Sequence, residues 1–167
     1  MIKPLIQKVI VAVNGSEQSI HAAMYGILLS KQYECDLKAV YVVDTSTLKQ
    51  LTMSRIFYEE ESRNYEKRLE DDGKRYLTYL EKLAAEKGVK IETELKKGAI
   101  WSELIKAAED FGASMILLGG KEQPNDTAQN TVRHDKISAT NAEIIGSASC
   151  NVLVVRQSNI EKIFKIA

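Results

Sequence analysis

The chain has no net charge: 23 Lys and Arg offset 23 Asp and Glu. An electrostatic nucleic-acid binder carries a basic excess, and a neutral chain does not steer highly charged substrates by its overall field. No nucleic-acid partner is therefore expected. Long apolar runs are also missing. None approaches the ~20 residues a membrane helix needs, so no membrane span is expected. The short apolar run near the N-terminus is flanked by polar residues, and no small-residue cleavage site follows it. A signal peptide is therefore not expected, and the expected location is cytoplasmic. Cysteine is scarce, with Cys35 and Cys150 far apart and no C-x-x-C pair. Buried, reduced thiols are expected, and neither a disulfide nor a metal site.

The usual catalytic signatures are absent too. The sequence has no G-x-S-x-G elbow, no G-x-x-x-x-G-K-[ST] loop and no G-x-G-x-x-G fingerprint. Phosphoacceptor chemistry would want an acid pair after the first strand and an acid ending the third, and neither is there. No catalytic residue or metal ligand is assigned, and the chain is read as a binding protein before an enzyme. Asp44, alone at the end of the second strand, is read as a cap or turn residue.

What is present is ordered by the stretch from Val9 to Ser16. Five apolar residues run without alternation and stop at Asn14, Gly15 and Ser16. Such a run reads as a strand buried on both faces, in the middle of a parallel sheet. Ser16 is a good N-cap for the amphipathic segment behind it. A composition that is 44% apolar, over 167 residues, fits one globular domain spanning 1–167.

The spacing of apolar residues predicts strands over about 8–14, 37–43, 89–95, 114–118 and 151–156, and helices over about 16–33, 55–87, 100–111 and 137–148. The third strand alternates and is expected near an edge. Residues 45–54 read as a polar connection, and 157–167 as a tail with one or two amphipathic turns. Gly73, inside the apolar stripe of the long helix, reads as a close-packing point, because glycine there costs about 1 kcal/mol against alanine. His21 reads as a partly exposed helical side chain. Residues 121–136 are rich in Pro, Asn, Asp, Thr and Gln without period, and are expected to form a long irregular loop.

Strands alternating with helices, joined by right-handed crossovers, give an α/β doubly wound five-stranded parallel sheet. The most apolar strands, the first and fourth, belong at its centre, which suggests the order 3-2-1-4-5. The switch point then lies between them, with Asn14 and Gly119 facing each other across the crevice where open α/β sheets bind ligands.

Four stretches now resemble one known family. Val9-Ile10-Val11-Ala12-Val13-Asn14-Gly15-Ser16 is similar to the V-A-V-D-G-S opening of universal stress proteins. Tyr41-Val42-Val43-Asp44 resembles their H-V-V-D strand end, Ala113–Gly119 their D-L-I-V-M-G strand, and Cys150–Arg156 their C-P-V-L-V-V-R ending. The resemblance covers nearly the whole chain in the right order. It implies the adenine nucleotide alpha hydrolase-like fold, a homodimer through the last strand at Val152 and Val154, and ATP or another adenine nucleotide as the ligand to test for. An apolar edge strand is a liability unless paired, so a symmetric partner is also physically reasonable.

Carried over residue by residue, the nucleotide site would involve Ala12, Asn14, Val42, Gly119, Gly120, Lys121 and Ser138. Asn14 stands where ATP-binding members have Asp. Gly119 matches the first glycine of their G-x-x-G loop. Glu122 stands in place of the second, and Ser138-Ala139 occupies the G-[ST] position. Bare glycine backbone closes around phosphate oxygens; a carboxylate and a side chain at those positions crowd a triphosphate. The resemblance with this departure implies a dimeric regulatory or binding module without the usual ATP cradle. The alternative is an ATP- or AMP-binding, slowly hydrolysing member in which Lys121, Arg133, His134 and Lys136 replace backbone amides.

Overall fold

The computed structural model describes residues 2–120, 138–157 and 159–167. Five parallel strands, β1 (Lys8–Val13), β2 (Asp36–Asp44), β3 (Ile91–Gly98), β4 (Met115–Gly119) and β5 (Asn151–Val155), form one sheet in the order β3-β2-β1-β4-β5. Six helices are described: α1 (Glu17–Tyr33), α2 (Thr45–Met53), α3 (Glu59–Glu86), α4 (Ile100–Phe111), α5 (Ala139–Ser147) and α6 (Ile160–Ile166). The expected order and parallel pairing are the ones found.

The unbroken apolar run of β1 has a simple cause. Side chains alternate between the faces of a strand, and both faces are covered. Val9, Val11 and Val13 pack with α1, α3 and α6. Ile10 packs on the other side, with Leu104 and Ala107 of α4 and Ile144 of α5. Val9, Ile10 and Val11 are each 0% exposed. In register, Val11 lies level with Leu117 of β4 and with Ala39 of β2. Asn14 and Gly119 therefore emerge together at the carboxyl edge.

Several local readings are corrected. Residues 45–53 form the helix α2, where a polar connection was expected. Asp44 caps it: its Oδ1 accepts from the Thr47 amide at 3.0 Å and its Oδ2 from the Thr47 hydroxyl at 2.6 Å. Only Leu48 of this helix is buried, which is too little apolar patterning to show a period. α3 starts at Glu59, later than expected, because the chain reverses after α2 with Arg55 at a φ of 58°. β3 starts at Ile91 because Val89 belongs to the end of α3. Its amide donates to Ala84 O at 2.9 Å, and Gly88 at a φ of 69° donates to Ala85 O at 3.0 Å. This pairing satisfies the last helical carbonyls, with glycine in the left-handed position.

The tail folds into α6, whose Ile160 and Phe164 enter the same core as α1. His21 is the other correction. It is 7% exposed, not partly exposed, and its Nε2 lies 3.2 Å from the Glu161 carboxylate of α6. Of the thiols, Cys35 is buried and Cys150 half-buried, and both are free. Burial raises the pKa of each above the ordinary thiol value. Among the described residues, no helix is long and apolar enough to cross a membrane.

Candidate functional site

A cavity of about 330 Å³ opens at the carboxyl ends of β1 and β4. Its lining includes Ala12, Asn14, Val42, Gly119, Gly120 and Ser138, so six of the seven residues expected at a nucleotide site come together. The seventh, Lys121, lies outside the described residues, as do Glu122, Arg133, His134 and Lys136. The apolar part is built by Ala12, Val40 and Val42 from the sheet, with Ile100 and Leu104 from α4.

The turn from β1 into α1 is locked by short-range hydrogen bonds. The Asn14 side-chain oxygen accepts from the Ser16 amide at 2.9 Å, a local turn that Asn makes as readily as Asp. The Asn14 amide donates to Ser19 Oγ at 3.2 Å, and that hydroxyl donates to Ser16 O at 2.9 Å. Ser16 Oγ accepts from the Ser19 amide at 3.2 Å and so caps α1. Gly15 takes a φ of 79°, a conformation that a side chain would oppose.

On the facing side, α5 starts at the same cavity. Ser138 caps it, its Oγ accepting from the Asn141 amide at 3.1 Å. The Asn141 side-chain amide in turn donates to Gly119 O at 3.1 Å. The Gly120 amide donates to Val155 O at 2.9 Å, which extends the pairing between β4 and β5 by one residue. The carbonyl of Gly119 and the amide of Gly120 are thus already committed to the protein.

The first turns of α1 and α5 both reach the lining, through Gln18 and Ser19 on one side and Thr140 and Asn141 on the other. Helix N-termini carry partial positive charge and favour an anion. Among the described lining residues, Arg156 is the one charged side chain. The arrangement is suited to a ligand with an apolar ring system at one end and an anion at the other.

Asn141 and Arg156 were not singled out as site residues in the sequence. Arg156 had a signal, since it directly follows the last strand at the carboxyl edge. Asn141 had a weaker one, three residues after a serine at a helix start. Val154, assigned above only to a partner surface, also lines the cavity.

The described geometry is that of a known family. The model of the universal stress protein family matches residues 5–156, and the chain belongs to that family. It is 29% identical over 157 residues to a universal stress protein of Methanocaldococcus jannaschii, covering 94% of this chain and 86% of that one. The solved UspA from Lactobacillus plantarum superposes with a TM-score of 0.71 at 18% identity, over 92% of this chain and 100% of that one. A family protein from Arabidopsis thaliana solved with AMP bound gives a TM-score of 0.61 at 15% identity, over 92% and 94% of the two chains. The universal stress protein of Archaeoglobus fulgidus, solved in complex with dAMP, gives 0.61 at 11% identity, over 92% and 100%. The sheet order is that of the adenine nucleotide alpha hydrolase-like fold.

Proposed function

We propose that this protein is a regulatory binding module. It works as a homodimer joined along β5, and its crevice takes an adenine nucleotide with few phosphates in place of a triphosphate wrapped in main-chain amides. The observation that carries the reading is the Gly120 amide, bonded to Val155 O at 2.9 Å and so turned away from a ligand. Ser138 Oγ, likewise, is engaged with Asn141. Ala12 and Val42 are the residues set for the base, and Asn14 for the sugar side. Gly119, Gly120 and Ser138 border the phosphate. The cavity of about 330 Å³ lies at the small end of the usual range for ligand pockets, which suits one phosphate better than three. The two relatives solved with AMP and dAMP support the same class.

The dimer reading rests on β5, which among the described residues pairs with β4 on one side only and ends the sheet. Its Val152, Leu153 and Val154 are half-buried. An apolar edge strand favours a second copy.

The test is calorimetric titration of the full chain with AMP and with ATP and magnesium, alongside a phosphate-release assay. AMP should bind at least as tightly as ATP, without phosphate release. ATP bound more tightly than AMP by about tenfold, 1.4 kcal/mol, or steady phosphate release, would overturn the reading in favour of the hydrolase alternative. For the dimer, Val152→Lys is cleaner than Val154→Lys, because Val154 lines the cavity. Light scattering should show a dimer for the unaltered chain and a monomer for Val152→Lys. A monomeric unaltered chain, or a dimer indifferent to the change, removes β5 as the interface.

A further inference from the structure

Outside the crevice, three side chains converge where α6 lies over α1. Glu17 and His21 are one turn apart on α1, so they share a face. Glu161 comes from the first turn of α6. His21 Nε2 lies 3.2 Å from Glu161 Oε1 and 3.8 Å from Glu17 Oε1. One ligand atom from each of the three residues falls within 4.8 Å of the others. The imidazole is 9% exposed, while both carboxylates reach solvent. Among the described residues, no lysine or arginine pairs with either glutamate; each is paired only with His21.

We infer that Glu17, His21 and Glu161 form a binding site for a divalent transition-metal ion of the zinc class. The geometry fits. Metal–ligand distances of about 2.0–2.2 Å at tetrahedral angles put neighbouring ligand atoms about 3.4 Å apart; the two separations from His21, 3.2 and 3.8 Å, bracket that value, and the two carboxylates lie within 4.8 Å of each other. The chemistry fits as well. One imidazole and two carboxylates suit zinc, cobalt or nickel, whereas calcium and magnesium take oxygen alone. Two neighbouring carboxylates repel each other, and a divalent ion removes that repulsion. Three protein ligands leave a fourth position for water at the solvent side.

His21 is fixed by the packing of α1, and Glu161 by Ile160 and Phe164, which are 2% and 4% exposed. The imidazole and the two helices are therefore held in place before any ion arrives, and the two exposed carboxylates turn in to meet it. An ion there joins α6 to the first turns of α1, whose Gln18 and Ser19 line the crevice on another face. Without an ion, His21 and Glu161 form a hydrogen-bonded clasp between two helices, and the experiment separates the two roles.

The full chain, stripped with a chelator, is titrated with zinc chloride by calorimetry and with cobalt chloride by visible absorption. One equivalent should bind, with cobalt showing the intense absorption of a tetrahedral site. Glu17→Gln changes an exposed side chain and leaves the fold intact. Glu161→Gln keeps a hydrogen-bond acceptor for His21. Each should weaken binding by more than about tenfold, since even the outer partners of metal ligands are worth that much. Zinc should also raise the melting temperature of the unaltered chain and not that of Glu161→Gln. No binding, binding indifferent to both glutamine variants, or binding lost with Cys150→Ser would each overturn the inference. None of these outcomes bears on the nucleotide reading, because the three residues lie outside the crevice lining.

Discussion

Gly119, at the end of β4, lies directly against the backbone of Gln18 in the first turn of α1. A Cβ at Gly119 would come within 2.6 Å of the Gln18 carbonyl carbon and oxygen and 2.8 Å of the Ser19 amide. Those atoms belong to a helix that cannot yield locally. The glycine that matches the family's phosphate loop thus has a second reason to be there, namely the close approach of α1 to β4.

Gly119→Ala should therefore destabilise the protein by about 1–3 kcal/mol, the usual cost of overpacking. Because α1 must shift, nucleotide affinity should fall as well. Urea unfolding checks the first part and calorimetry the second. An alanine variant as stable as the parent would show that α1 moves freely, and the steric argument would fail.

Gly73 in α3 poses the same question with two opposing effects. Alanine in a helix interior is favoured over glycine by about 1 kcal/mol. Its Cβ, however, would sit 2.5 Å from Tyr41 Cδ1 and 3.0 Å from Leu95 Cδ1. Tyr41 is 6% exposed and stacked on Tyr76, with ring centroids 6.3 Å apart, so its ring cannot retreat. Overpacking should win, and Gly73→Ala should lower the urea midpoint. In a Tyr41→Ala background the same change should be neutral or stabilising. A stabilised single variant would contradict this packing.

Glu70 and Lys97 tie α3 to β3, with Nζ 3.1 Å from Oε2, and Lys74 Nζ lies 3.4 Å from Glu70 Oε1. The Lys97 hydrogen bond, then that of Lys74, holds the Glu70 carboxyl below its ordinary value, and the Glu70 hydrogen bond raises Lys97. The glutamate contribution is thus present above the pKa of the unfolded group and is lost as pH falls through the lower folded value. The lysine contribution is present below its unfolded pKa and is lost as pH rises through the higher folded one. Both partners are exposed to salt, so the effect is small and screened. Glu70→Gln should reduce stability at neutral pH, and the gap from the parent should close in acid and in high salt. A gap independent of both pH and salt would mean that packing, and not charge, accounts for the difference.

The sequence was most informative where burial is two-sided. Val9 to Val13 and Ile116 to Leu118 are apolar without a break because both faces of the central strands are covered, and that is visible in a single chain. From it followed the strand order, the crevice and the meeting of Asn14 with Gly119. Helix α2 was not visible, since Leu48 is its one buried residue. The start of β3 was missed because Val89 serves a helix cap rather than the sheet.

What the chain determined by itself, then, was the alternation of elements, the two inner strands and the family motifs. These are local properties: the period of apolar residues, a serine at a helix start, a glycine after a strand. The tertiary structure alone decided that the Gly120 amide is spent on Val155, that Asn141 holds the Gly119 carbonyl, and that His21 meets Glu161 across 140 positions of sequence. Each is a hydrogen bond between segments distant in the chain, and such partners are chosen by packing, which no local pattern encodes.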